Sequence, residues 1–320
     1  MKTNMVGAIN NALELAMKEN GNIVLLGEDI AKDGGVFRVT DGLSDKFPGR
    51  VFDTPLAESS IIGTSIGMAV AGMRPVPEIQ FAGFMLLSVS QLLNHAARYR
   101  TRTRSAMSVP MVVRTPVSGG VKTLEHHSDS PEALYSHIGG LIVVEPSNPY
   151  DAKGLLMKAL RMDDPVLFLE PTKLYRLFKQ DIPDEAYEVP IGKANYARHG
   201  NDLTIITYGT MAPLVQEVVE KKNVSADVID LRTINPLDEA TILESVKRTS
   251  RALIVHEAEM SFGVGAEIAA RIAEKAMFEL SAPIMRVASP SIPYPFPGYE
   301  NYYLPNAKKI GNAIDKILTA

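Results

Sequence analysis

The chain has 320 residues, of which 46% are hydrophobic and 22% charged. This length exceeds that of a typical single domain, so we expect two packed domains in a soluble globular protein. A net charge of -4 gives no basic surface of the kind that nucleic acid or an anionic membrane attracts, and neither partner is expected. The absence of cysteine excludes disulfides, thiolate metal sites and a cysteine nucleophile.

Residues 1–20 carry apolar side chains at helical spacing, together with Glu14 and Glu19, and predict a first helix. The segment lacks the long apolar core of a signal peptide and the arginine-rich character of a transit peptide. No apolar run approaches the roughly 20 residues that cross a bilayer. These features predict a cytoplasmic protein.

Short β-rich runs alternate with amphipathic segments through the first half of the chain. They predict strands at 22–27, 76–81, 109–116, 141–146 and 165–171. This alternation is typical of an α/β domain with a mostly parallel sheet. After Pro171 a loop-rich stretch of mixed charge predicts an interdomain passage, and we place the first domain at 1–185.

The same alternation resumes at Leu203 and predicts a smaller α/β domain over 186–320. Its strands are expected in LTIITYG, SADVIDL, ALIVHE and IMRVAS, and its helices near 211–222, 237–249, 264–278 and 305–318. Asn235 is expected to cap a helix that has Pro236 at its first position.

The first candidate for chemistry is Glu58, in a long helix that follows Thr54 and Pro55. With Thr54 as the cap, a capping-box partner belongs at position 57, which is alanine, so capping does not explain Glu58. One explanation is a carboxylate stabilised by the helix dipole. The other is a partly buried functional carboxyl, because no other charged side chain occurs between residues 56 and 73.

The second candidate is the loop GGVKTLEHHSDSPEAL (119–134), which leads into a helix that we expect Ser130 to cap. Paired histidines on such a loop can act near neutral pH, although the pattern alone favours two ordinary solvated loop histidines. A zinc site is not indicated, because the side chains of His126 and His127 need not converge and no other ligand pattern accompanies them.

Several segments, in order along essentially the whole chain, resemble the β subunit of the pyruvate and branched-chain 2-oxo acid dehydrogenase E1 components. They are LGEDIAKDGGVFRVTDGL (26–43), VFDTPLAE (51–58), GMRPVPEIQFAGF (72–84), HSDSPEA (127–133), VVEPSNPYDAKGLLMKAL (143–160), DLRTINPLD (230–238), VHEAEMSFGVGAEIAARI (255–272) and YPFP (294–297). The resemblance implies a thiamine-diphosphate-binding, pyrimidine-type α/β domain followed by a transketolase C-terminal-like domain. It also implies decarboxylation of a 2-oxo acid and reductive acylation of the lipoyl group of E2.

The resemblance further implies roles for particular residues. The carboxylate at Glu58 would hydrogen-bond N1′ of the cofactor's aminopyrimidine and favour its imino tautomer. Phe84 stands where family members often carry a tyrosine beside the pyrimidine, with core packing as the alternative, and Gln80 is a polar neighbour of the cofactor. His127 matches the family histidine that assists proton transfer when the acyl group passes to lipoamide, whereas His126 matches no fixed family residue.

Metal sites are implied in the same way. A potassium ion would rest on main-chain oxygens of Ala159 and Leu160 and on Asp164, although Met162 replaces a usual acidic residue. Thiamine enzymes complete in one chain carry a G-D-G motif for Mg²⁺ and diphosphate, and this sequence has none. The resemblance therefore assigns the diphosphate half-site, with most of the Mg²⁺ ligation, to an E1 α subunit in an α2β2 heterotetramer.

Two other functions stay open on the sequence. The chain could be the C-terminal half of a split transketolase, or a non-catalytic assembly subunit that docks the E2 lipoyl acyltransferase. Retention of both Glu58 and His127 speaks against the assembly subunit. Among 2-oxo acids, branched-chain substrates or a broad range are favoured, with pyruvate as the alternative.

Overall fold

The computed structural model describes residues 1–320. Its α-helices are α1 (Met5–Glu19), α2 (Leu43–Lys46), α3 (Glu58–Val70), α4 (Tyr99–Arg102), α5 (Glu132–Ser136), α6 (Pro149–Leu160), α7 (Met211–Lys222), α8 (Glu239–Thr249), α9 (Val264–Ala276), α10 (Glu300–Tyr303) and α11 (Ala307–Leu318). Its strands are β1 (Lys2–Thr3), β2 (Ile23–Gly27), β3 (Val51–Asp53), β4 (Arg74–Glu78), β5 (Val112–Val117), β6 (Ile142–Val144), β7 (Val166–Pro171), β8 (Gln180–Asp181), β9 (Asn195–Arg198), β10 (Leu203–Thr207), β11 (Ala226–Asp230), β12 (Thr233–Asn235), β13 (Ala252–Glu259) and β14 (Met285–Ser289).

The first domain is built on a seven-stranded sheet in the order β12-β6-β7-β5-β4-β2-β3. All neighbouring strands pair in parallel except β12, which pairs antiparallel with β6. Strands β2, β5 and β7 are buried throughout, because helices cover both faces of the sheet. The uniformly apolar runs of the sequence therefore correctly predicted a parallel α/β sheet.

The second domain is built on a five-stranded sheet in the order β14-β13-β10-β11-β9. It is parallel apart from the edge strand β9. Helices α7 and α11 pack together on one side of this sheet, and α8 and α9 on the other. The expected α/β architecture with two domains is thus confirmed, and the predicted boundary near residue 185 falls between β8 and β9.

Two of the expected helix caps are wrong. Asn235 ends β12 and donates its side-chain amide to the Leu141 carbonyl (2.8 Å), so α8 begins later, with Asp238 capping Thr241. Ser130 also caps nothing. Helix α5 starts at Glu132 and has Pro131 as its N-terminal flanking residue, because the first-turn amides bond the carbonyl of Pro131.

A polar network lies inside the first sheet. Arg114 on β5 is only 1% exposed and bonds both oxygens of Glu170 (2.7 and 3.0 Å) and one oxygen of Glu78 (2.7 Å). Tyr175 donates its hydroxyl to Glu170 (2.6 Å). Burial raises the pKa of Glu78 even though Arg114 lies beside it. The network joins β4, β5 and β7 beneath the edge of the sheet where the candidate site lies.

None of the helices is both long and apolar enough to cross a membrane.

Candidate functional site

The candidate site lies where β2, β3, β4 and β5 end. Gly27 of β2 is opposite both Asp53 of β3 and Glu78 of β4, so the residues that follow these strands leave the sheet at one edge. Glu78 is in turn opposite Arg114 of β5. In parallel α/β sheets this carboxyl edge is where ligands bind.

Glu58 is the first residue of α3, and it is 8% exposed. The helix begins three residues later than a Thr54 cap predicts, with Ala57 in the cap position and no side-chain cap. The Thr54 hydroxyl is buried without a partner, while the Thr54 amide bonds the Gly27 carbonyl (2.9 Å). No donor of the chain bonds the Glu58 carboxylate, so capping is not its role. Its expected burial is confirmed.

Glu28 is a second carboxylate of this edge that sequence reasoning missed. It directly follows β2, is 4% exposed, and both of its oxygens are buried without a hydrogen-bond partner. Burial, followed by the charges of Glu58 and Asp29, raises the pKa of Glu28 to about 7. The usable signal was an acidic residue directly after a buried parallel strand, because that position faces the ligand edge of the sheet.

Gln80 and Phe84 lie on the segment that follows β4. Gln80 is half-buried, and its side chain forms no hydrogen bond within the chain. Phe84 is half-buried and packs on the histidine turn, with its ring centroid 5.4 Å from that of His126 and 5.3 Å from that of His127. Phe84 therefore contacts the candidate histidines as well as the core cluster against which it also packs.

His127 lies in a short 3₁₀ turn, Glu125–His127. Phe81 packs edge-on against its ring at 4.3 Å between centroids, and its Nδ1 is buried without a partner. Burial, followed by the neighbouring His126, lowers the pKa of His127, so its neutral form is favoured at pH 7. His126 is exposed, as expected for a loop neighbour.

One 3₁₀ segment, Ala82–Ser88, joins the two halves of the site. It contacts α3, where the Ser59 hydroxyl donates to the Leu87 carbonyl, and it also contacts the histidine turn. A Cβ added at Gly83 would lie 2.2 Å from the His126 carbonyl oxygen, so the segment and the turn are in direct contact. The same segment thus contacts both the helix that begins with Glu58 and the turn that carries His127.

The residues predicted to bind potassium form hydrogen bonds and an ion pair within the chain. The Asp164 carboxylate pairs with Arg100 (2.6 Å), and the Ala159 carbonyl accepts the Met162 amide (3.1 Å). Arg74 donates to the Met162 carbonyl (2.8 Å). Leu160 ends α6 at this turn. Two guanidinium groups already supply positive charge here, an arrangement that does not favour a potassium ion, and the potassium site stays a prediction.

No group of three or more His, Asp or Glu side chains lies together in a geometry that could hold a metal ion.

The site is also rimmed by solvent-exposed apolar side chains. Leu56 is 81% exposed, and Leu86, Leu87 and Phe52 are exposed as well. Such a rim is typical of a surface that another chain covers.

Comparison with known proteins gives two family matches. Residues 1–177 match the transketolase pyrimidine-binding domain, and residues 192–310 match the transketolase C-terminal domain. The chain is 47% identical over 320 residues to a pyruvate dehydrogenase E1 component subunit beta of Acholeplasma laidlawii, covering 99% of this chain and 98% of the relative. It belongs to the E1 β-subunit family of 2-oxo acid dehydrogenases.

Other E1 β subunits are similarly close. The pyruvate dehydrogenase E1 component subunit beta of Staphylococcus epidermidis is 48% identical over 310 residues, covering 96% of this chain and 95% of the relative. Among solved structures, a split-gene transketolase in an inactive β4 tetramer superimposes with a TM-score of 0.75, covering 100% of this chain and 99% of that chain. Its sequence identity is 22%, so it supports the fold alone.

Proposed function

We propose that this chain is the β subunit of a thiamine-diphosphate-dependent E1 that decarboxylates a 2-oxo acid and transfers the acyl group to the lipoyl group of E2. The observation that carries the proposal is Glu58, a residue only 8% exposed at the ligand edge of the sheet, whose carboxylate no donor of its own chain bonds. Glu28 is a second carboxylate at this edge, and both of its oxygens are buried without a hydrogen-bond partner. Carboxylates that have no hydrogen-bond donor in their own chain fit a ligand that supplies hydrogen-bond donors.

The residues at the edge suit the aminopyrimidine of the cofactor. Thiamine diphosphate, when bound, supplies the electron sink for decarboxylation. Glu58 would hold the proton shared with the pyrimidine ring nitrogen, Phe84 would pack on the ring face, and Gln80 would offer its free amide. His127, neutral at pH 7, would accept and return a proton during acyl transfer.

The partner follows from what the chain lacks. It has no G-D-G motif, and the exposed Leu56, Leu86 and Leu87 surround its site. We propose that an E1 α subunit covers this rim and supplies the diphosphate and Mg²⁺ ligands in an α2β2 heterotetramer. The E2 acyltransferase is the acceptor partner, and the cytoplasm is the proposed location.

Pyruvate is the substrate that we favour. The relatives at 47% and 48% identity are named as pyruvate dehydrogenase subunits, and nothing in them supports the branched-chain preference that we expected from the sequence. The first experiment measures decarboxylation of pyruvate and of branched-chain 2-oxo acids by the chain alone and by the chain co-expressed with its α subunit. Decarboxylation that occurs only when both subunits are present supports the proposal. Transfer of a ketol group between sugar phosphates would instead support a split transketolase.

Glu58→Gln tests the cofactor role in the assembled heterotetramer. The variant should assemble normally but lose decarboxylation by several orders of magnitude, because the amide cannot share a proton with the pyrimidine. Glu19→Gln, at the exposed end of α1, is the matched control and should retain full activity. Near-normal decarboxylation by Glu58→Gln would remove Glu58 from the mechanism and favour the assembly-subunit alternative.

His127→Ala tests the acyl-transfer role, with His126→Ala as the matched control. Loss of His127 should lower lipoyl acylation far more than decarboxylation measured with an artificial electron acceptor. The exposed His126 should affect neither assay strongly. Equal, modest losses in both assays for His127→Ala would indicate a structural histidine.

A further inference from the structure

The loop that carries His127 has a strained backbone. Residues 118–124 connect β5 to the histidine turn, and within this loop Ser118 (φ +69°), Gly120 (φ +89°) and Lys122 (φ +59°) adopt left-handed conformations. Residues other than glycine rarely adopt this region, so such a path persists only where surrounding groups hold it.

The holding groups come from the C-terminal domain. Glu257 at the end of β13 accepts the Gly119 amide (2.6 Å), and Glu300 at the start of α10 accepts the amides of Gly120 (2.9 Å) and Lys122 (3.2 Å). Three backbone donors of the loop are thus satisfied by two carboxylates from beyond the domain boundary.

Both carboxylates are themselves fixed. Glu300 is 2% exposed and also accepts the Tyr294 hydroxyl (2.7 Å), while Glu257 is 6% exposed and accepts the Thr210 hydroxyl (2.5 Å). A Cβ added at Gly119 would lie 1.8 Å from the Tyr294 hydroxyl oxygen, so the tyrosine is in close contact with the loop. The acceptors therefore form a buried cradle for the loop.

We propose that Glu300 and Glu257 are positioning residues for His127, which hold its loop from the neighbouring domain. The inference rests on the proposed role of His127 in acyl transfer. Neither carboxylate bonds the histidine ring; they bond the loop at residues 119, 120 and 122, several positions before it. The C-terminal domain, which supplies neither Glu58 nor His127, would in this way set the geometry of the transfer step.

The test uses Glu300→Ala in the assembled heterotetramer with thiamine diphosphate and Mg²⁺. We expect lipoyl acylation to fall at least tenfold in kcat, with the KM for the 2-oxo acid and the artificial-acceptor activity near normal. We also expect the amides of residues 119–122 to exchange hydrogen at least tenfold faster. Glu279→Ala, exposed on the same domain, is the matched control and should change neither measurement.

A conservative variant keeps the test decisive if Glu300→Ala fails to assemble. Glu300→Gln keeps an oxygen acceptor and should restore most of the transfer rate and exchange protection, whereas Tyr294→Phe should give an intermediate loss. Unchanged exchange at residues 119–122, or equal losses in both activity assays, would overturn the positioning role. If His127→Ala itself is not selective for acyl transfer, the proposed function of the histidine fails instead, whatever the exchange data give.

Discussion

Replacing Arg114 by methionine should be among the most destabilising single changes in the first domain. The substitution keeps most of the buried volume but leaves Glu78 and Glu170, which are 6% and 0% exposed, without their cation. Removing one partner of a buried ion pair typically costs about 3–5 kcal/mol, because a charge stays buried and uncompensated. For a domain of this size that corresponds to a fall in Tm of roughly 6–20 °C.

The assay is thermal and urea unfolding followed by circular dichroism at pH 7, with Arg100→Met as the matched control. Arg100 pairs with Asp164 at the surface, where both side chains are 40% exposed, so its loss should cost no more than about 1 kcal/mol. Lowering the pH should recover part of the loss, because burial already raises the pKa of Glu78 and a protonated carboxyl leaves no uncompensated charge. Equal losses for the two arginine variants would refute the electrostatic reasoning.

Three further predictions concern stability and the site. Burial raises the pKa of Glu132 from 4.5 to about 8, so the folded chain keeps a proton that the unfolded chain releases. The unfolding free energy should therefore fall as pH rises across this window, by up to about 1.4 kcal/mol per pH unit. Urea unfolding at a series of pH values should show a weaker dependence of this free energy on pH for Glu132→Gln. Gly83→Ala should push the histidine turn away and lower lipoyl acylation at least tenfold, whereas Gly21→Ala, which has open space, should match the parent. Exchanging KCl for NaCl at constant ionic strength should leave Tm unchanged, because Arg100 already pairs with Asp164. A higher Tm in KCl than in NaCl would instead support the predicted potassium site.

The strands could be predicted from sequence because buried parallel strands are apolar along their whole length. The expected runs at 109–116 and 165–171 became β5 and β7 with shifts of only a few residues. β12 could not be predicted, because three residues give too little periodicity and the strand pairs with a sheet formed by a distant part of the chain. The cap expected at Asn235 failed for the same reason, since that residue is engaged by β6 and by Leu141.

The site was predictable only in part. Glu58 and His127 stood out by their local setting and by resemblance, whereas Glu28 lay within a recognised segment with its place directly after a buried strand as the signal that was not used. The cradle of the histidine loop is entirely nonlocal. Glu257 and Glu300 lie 138 and 180 positions from the amides they bind, so no sequence window contains both partners.

The route of the chain between β11 and β12 limits how the two domains can be exchanged. β11 lies inside the five-stranded sheet and β12, two residues further on, completes the edge of the seven-stranded one. A chimera joined near residue 185 would therefore bring a foreign edge strand into the first sheet, together with foreign acceptors for the histidine loop. Recombination between relatives should succeed only where the C-terminal half comes from a relative that matches the recipient at β6 and at residues 118–122. The two halves of the chain should therefore be inherited together.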